Sequence, residues 1–140
     1  MPMGDMQLQV GVKVLLKNRE GKYLLLRRSP EKYPGTKGMW DIIGGRINPG
    51  TPLLDNLKRE VMEETGLELT SAVRLVAAQD ILRMPGRHVV RLTYVGEING
   101  EPKVDGADHL EYGWFTPDEL RRHDDLDMYF KELLTNRTIV

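Results

Sequence analysis

Three glutamates, Glu60, Glu63 and Glu64, stand at spacings i, i+3 and i+4 between a Gly44–Gly45 pair and Gly66. At about 100° per residue they share one face of a helix. Carboxylates this close repel and raise one another's pKa, so the pattern implies a cation among them. Hard oxygen donors suit Mg²⁺ or Mn²⁺, and Mg²⁺ held by carboxylates usually also meets phosphate oxygens. The triplet therefore points to phosphate chemistry. Taken alone it competes with a plain solvated acidic face, which is common on helices.

The flanking residues define the helix. Thr51 reads as its N-cap, Pro52 suits the first helical position, and Gly66 suits the C-terminal stop. Leu53, Leu54, Leu57 and Val61 form an apolar stripe beside the carboxylates. The expected helix, residues 52–65, packs one side on a sheet and presents the glutamates along its edge. Before it, residues 7–17 alternate and are β-branched, Asn18-Arg19-Glu20-Gly21 is a turn, and residues 22–28 form the return strand of a hairpin. Residues 29–38 are a polar loop, and Trp40 to Ile43 is a short strand ending at the glycine pair. After the helix come one or two strands within 69–82, a strong strand over 87–98 and a polar loop over 101–108. A short strand over 112–115, a helix starting at Pro117 and a last helix over 126–134 complete the chain. The element order, hairpin, helix, strands, helix, specifies an α/β fold with a mixed sheet flanked by helices.

Composition narrows the function. With 140 residues the chain fits one domain, 1–140. A net charge of −1 provides no global field for a nucleic acid polymer, so an anionic substrate must be met locally by Lys or Arg. The absence of cysteine excludes disulfides and thiolate catalysis. No apolar run approaches the roughly 20 residues that span a bilayer, so no membrane partner is expected. The start, Met-Pro-Met-Gly-Asp-Met, lacks the basic and apolar regions of a signal peptide. A cytoplasmic protein is expected, as a monomer or a homodimer; Met128-Tyr129-Phe130 and Leu133-Leu134 either pack the last helix onto the sheet or line a dimer interface.

Residues 59–67, Arg-Glu-Val-Met-Glu-Glu-Thr-Gly-Leu, match without exception the second half of the signature G-x5-E-x7-R-E-U-x-E-E-x-G-U, where U is aliphatic, and Gly45 supplies its first glycine. The chain thus resembles the Nudix (MutT-type) hydrolases. Trp40 precedes the glycine pair by the family's usual spacing. Glu111-Tyr112-Gly113-Trp114-Phe115, followed by Asp118-Glu119-Leu120, is similar to the family's closing element. The likeness spans about residues 7–121. There are two departures: Thr51 replaces the first glutamate of the signature, and Ile43 stands where the family often has proline.

The resemblance implies an α/β/α sandwich and Mg²⁺-dependent (or Mn²⁺-dependent) hydrolysis of a diphosphate linkage in a nucleotide. It makes Glu60 and Glu64 direct metal ligands, and Glu63 a ligand, a water holder or the base. A carbonyl of Gly44 or Gly45 would complete the metal's shell, since glycine permits close backbone approach. Arg59 would lock the carboxylates by a bidentate contact. Asp108 is the candidate acidic residue from the later loop, with Asp105 and Glu111 as competitors. Arg28, at the end of the second strand, and Trp40 are candidates for binding substrate; each has a plainer reading, as a solvated strand end and a loop anchor respectively. Tyr33 either stacks on a base or covers the sheet. No spacing makes His88, His109 or His123 a ligand. The short chain, the Arg87–His88 strand and the Gly100-Glu101-Pro102 turn favour a nucleoside triphosphate over ADP-ribose, other nucleotide sugars or dinucleoside polyphosphates. A nucleotide-sensing domain without catalysis is the competing function class.

Overall fold

The computed structural model describes residues 5–31, 38–104, 106 and 108–140. Tyr33 and Asp105 lie outside them. Among the described residues seven strands and three helices follow in the order β1 (Gln7–Lys17), β2 (Tyr23–Arg28), β3 (Trp40–Asp41), β4 (Ile43–Arg46), α1 (Leu53–Thr65), β5 (Arg74–Ile81), β6 (Arg87–Glu97), β7 (His109–Phe115), α2 (Pro117–Arg122) and α3 (Met128–Thr135).

β1 organises the sheet. It runs parallel to β6 over eleven positions, from Gln7↔Arg87 to Lys17↔Glu97, and antiparallel to β4 from Gly11↔Arg46 to Val14↔Ile43. β5 closes the far edge antiparallel to β6. The sheet is therefore mixed, as expected. The hairpin expectation needs correction: β1 and β2 meet only at Lys17↔Tyr23 and then part. β2 pairs instead with β7 along its length and with β3 at Leu26↔Asp41 and Arg27↔Trp40. β4 occupies the place beside β1 that a regular hairpin would have filled.

Side-chain alternation divides the core in two. Val12, Val14 and Leu16 of β1 meet Leu24, Leu26, Ile43 and, from α1, Leu57 and Val61 on one face. Leu15 meets Leu25, Ile42, Leu120, Leu126, Phe130 and Leu133 on the other, under α2 and α3. The result is an α/β/α sandwich. Among the described residues no helix is long and apolar enough to cross a membrane.

Several boundaries move. The strand before α1 does not stop at the glycine pair but runs through it to Arg46. Leu53 and Leu54 are exposed, so only Leu57 and Val61 of the expected stripe are buried. Thr51 does not cap α1. Pro52 holds the N-cap position and no side chain caps the helix. Asn56 ties down the entry, as described below. β7 begins at His109, three residues before the expected start. α3 begins at Met128, because the Asp127 carboxylate accepts from the N–H groups of Tyr129 and Phe130 and so sets the N-cap there. Gly66 ends α1 in the left-handed conformation, φ 70°, as its position led us to expect.

Candidate active site

α1 lies beside β4, and two of its glutamates reach the glycine pair. Gly44 N–H donates to Glu64 Oε2 at 2.8 Å. The Glu60 carboxylate sits against Gly45 so closely that a Cβ there would come within 2.8 Å of it. Gly44 is at φ +146°, and a Cβ on it would meet the Val12 carbonyl oxygen at 1.9 Å. Both glycines are thus dictated locally, one by its backbone conformation and the strand beside it, the other by the carboxylate. Glu63, one position round the helix, points outward and is 59% exposed.

Arg59 brackets the carboxylates. Its Nη2 donates to Glu60 Oε1 at 2.9 Å and to Arg46 O at 3.1 Å, and its Nε lies 3.7 Å from Glu63 Oε1. Its Nη1 donates to Asn56 Oδ1 at 2.7 Å. Asn56 is fully buried. Its Nδ2 donates to the carbonyls of Thr51 and Pro52, and its Oδ1 also accepts from Asn48 N–H. One asparagine therefore fixes the loop, the helix entry and the arginine together.

Glu64 has an unusual environment. Burial pushes its carboxyl up to about 8; the nearby Lys13 ammonium and the Gly44 N–H oppose this, and the Glu60 and Asp41 carboxylates add to it. His109 Nε2 lies 3.6 Å from Glu64 Oε1.

Beyond Glu64 opens a cavity of about 420 Å³, within the usual size range of small-molecule sites. Five basic side chains line it, Lys13, Arg28, Arg46, Arg83 and Arg91, together with His109, against three acids, Asp41, Glu64 and Asp127. The floor is a buried ion cluster. Asp41 accepts from Arg28 Nη2 at 2.6 Å and from Arg91 Nη2 at 3.0 Å, and pairs with Lys13 Nζ at 3.1 Å. Asp127 pairs with Arg91 at 3.2 Å and Arg28 at 3.4 Å. Burial alone would raise the Asp41 carboxyl, but Arg91, Lys13 and Arg28 together hold it far below the ordinary carboxylate range. Among the described residues Arg91 Nε is buried without a hydrogen-bond partner. The Arg83 and Arg91 guanidiniums lie 5.6 and 6.0 Å from the centre of the Tyr129 ring.

The donor set fits a divalent ion of the Mg²⁺ type. Two largely buried carboxylates one helical turn apart meet the backbone of two adjacent glycines, and at Glu64 their negative charge is incompletely offset by protein groups. Among the described residues no three His, Cys, Asp or Glu side chains converge as a closed cage. An ion of this type takes one or two protein carboxylates and completes its shell with water and phosphate oxygens. The even face expected of Glu60, Glu63 and Glu64 is in fact split, two inward and one outward, because consecutive residues of a helix point about 100° apart and Glu64 is the one turned to the glycine strand.

The other expected residues fall in different places. Arg28 lines the cavity, but its guanidinium is engaged by Asp41, Asp127 and the Gly38 carbonyl. Trp40 packs edge-on against Phe115 and His123, with centroids 5.4 and 5.9 Å away, under the second core and not in the cavity wall. The Asp108 carbonyl accepts from Ser29 N–H, joining the end of β2 to the start of β7, and the cavity wall there is the next residue, His109. Sequence reasoning missed Lys13, Asp41, Asn56, Arg91, His109 and Asp127. Lys13, Asp41 and Arg91 carried a signal: each is a charge flanked on both sides by apolar residues, a setting in which burial requires a partner.

The fold and site define a class, an α/β/α sandwich that carries paired carboxylates on a helix against a diglycine strand. The family model described as the NUDIX domain matches residues 7–135, and the chain belongs to that family. A MutT NUDIX hydrolase structure from Burkholderia pseudomallei is 30% identical, with a TM-score of 0.75, covering 92% of this chain and 97% of its own. The NAD-capped RNA hydrolase NudC of Chromobacterium violaceum is 31% identical over 73% of this chain, which spans only 36% of that protein. The nucleoside triphosphatase NudI of Escherichia coli is 29% identical over 75% of this chain and 80% of its own length.

Proposed function

We propose that this protein is a single-domain, divalent-metal-dependent pyrophosphohydrolase that cleaves a nucleoside triphosphate to the monophosphate and pyrophosphate. The observation that carries the reading is the convergence of Glu60 and Glu64 on Gly44–Gly45 at the edge of a cavity with more basic than acidic side chains.

In this reading Glu60 and Glu64, with a carbonyl of Gly44 or Gly45, hold Mg²⁺ or Mn²⁺. The bound ion would neutralise diphosphate charge and lower the pKa of a coordinated water. Arg59 keeps Glu60 oriented and draws Glu63 to the outer side of the site, where Glu63 receives the proton of the attacking water. Lys13, Arg46 and Arg83 supply positive charge along the phosphates, while Arg28 and Arg91 act through the rigid cluster they form with Asp41 and Asp127. Preorganised charge of this kind costs no rearrangement during reaction and supplies most of the acceleration. A triphosphate is favoured because several matched relatives are named for it, among them a nucleoside triphosphatase and a putative 8-oxo-dGTP diphosphatase. With this reading go a cytoplasmic setting, a monomer or homodimer, and no nucleic acid polymer as partner.

The test is a Mg²⁺-dependent hydrolysis screen of standard and oxidised (d)NTPs, ADP-ribose, nucleotide sugars and dinucleoside polyphosphates, with Glu64→Gln as blank. Release of monophosphate and pyrophosphate from a triphosphate is expected. Turnover of only a sugar or dinucleotide substrate would overturn the substrate assignment, and nucleotide binding without any turnover would overturn the activity.

A further inference from the structure

Lys13 stands beside two of the candidate metal ligands, Gly44 and Glu64. It projects from β1 on the face shared with Leu15, and its stem lies across Gly44: a Cβ on that glycine would come 2.8 Å from Lys13 Cδ. Its ammonium donates to the Ile42 carbonyl at 3.1 Å and, more weakly, to the Gly44 carbonyl at 3.5 Å. The N–H of the same Gly44 donates to Glu64, and Lys13 attracts that carboxylate. Asp41 does not neutralise Lys13 alone, because it is shared with Arg28 and Arg91. The side chain is largely buried, at 15% exposure, so solvent screens its charge poorly.

An ammonium and a divalent cation make the same demand, for oxygen lone pairs. Here both would draw on Gly44 O and the Glu64 carboxylate. We propose that Lys13 is a resident counter-cation of the metal site: it keeps the divalent-metal affinity of the substrate-free protein low and makes metal occupancy depend on the arrival of a polyanionic substrate. The inference rests on Glu60, Glu64 and Gly44 being the metal's protein ligands. Without substrate, an incoming ion meets the Lys13 charge at close range. With a substrate's phosphates present, that same charge is offset by them, and the ion and the ammonium no longer oppose each other.

The experiment measures Mn²⁺ affinity of the metal-stripped protein by electron paramagnetic resonance of free Mn²⁺, with and without a non-hydrolysable α,β-imido nucleoside triphosphate, the Mn²⁺ held by the analogue alone being measured without protein and subtracted. Lys13→Met should bind Mn²⁺ on the order of fivefold tighter than wild type without nucleotide, and Lys13→Arg within about twofold of wild type. The analogue should strengthen Mn²⁺ binding more in wild type than in Lys13→Met. Circular dichroism reports folding, and Lys13→Gln, whose amide can still donate to a carbonyl, replaces the methionine variant if that one does not fold. Equal or weaker Mn²⁺ binding by the folded neutral variants overturns the inference while leaving the metal site in place. If neither wild type nor variant binds Mn²⁺ even with the analogue, or Glu64→Gln binds it as wild type does, the assignment of the metal ligands fails as well.

Discussion

Glu64 is the residue in which fold and chemistry meet. It is held by a backbone N–H and buried beside a second carboxylate, so its proton and a metal ion compete for it. Its folded-state pKa, about 8, lies above its ordinary 4.5, so between those values the native metal-free protein binds more protons than the unfolded chain. Stability from this group then falls as pH rises through that window. Thermal melts in chelator should therefore show a decline from pH 5 toward 8 that is absent in Glu64→Gln, and Mn²⁺ affinity should rise over the same range. A flat profile, or the same decline in the variant, assigns the titration elsewhere. For turnover, Glu64→Gln and Glu63→Gln should each lose at least about 10²-fold in kcat/KM while keeping the wild-type circular dichroism spectrum. If Glu63→Gln keeps wild-type activity, the base is another group.

At the scale of the element, α1 shows how a motif residue and a structural residue exchange roles. The sequence offered Thr51 as the cap, yet its side chain makes no cap hydrogen bond. The buried Asn56, inside the helix, bonds two carbonyls before it, one N–H from the loop and Arg59. Asn56→Ala leaves those groups without a partner and should cost about 2–3 kcal/mol by urea unfolding. Thr51→Ala should stay within about 0.5 kcal/mol of wild type. The reverse order would restore Thr51 as the cap. Asn56→Ala should also loosen Arg59, giving a loss of turnover beyond what the fold loses.

Across the whole molecule, the Asp41 cluster ties β1, β2, β3, β6 and α3 into one floor through Lys13, Arg28, Arg91 and Asp127. Because the folded pKa of Asp41 is depressed, its contribution is present above its unfolded value of 3.8 and is lost only as pH falls through the folded value. Asp41→Asn leaves three buried cations with one carboxylate and should destabilise the protein by about 3–5 kcal/mol, measured by denaturant midpoint. A loss under about 1 kcal/mol would show that water, not Asp41, compensates these cations.

What the sequence determined by itself was local in origin: the carboxylate spacing of α1, the glycines that flank it, the alternation of β1 and β6, and hence a mixed sheet between helices. The glycine pair was legible because conformation and close approach leave little choice of residue there. Only the tertiary structure decided which partners meet. β1 and β2 part so that β4 can carry Gly44 and Gly45 to the helix, and Lys13, Asp41 and Arg91 become one cluster although 28 and 50 positions separate them from one another in turn. His109 faces Glu64 because β7 pairs with β2, a register set by the sheet and not by the residues around it. Hydrogen-bond spacing along one element repeats in the sequence, but the balance of charge in a buried site depends on groups that the chain brings together only when it closes.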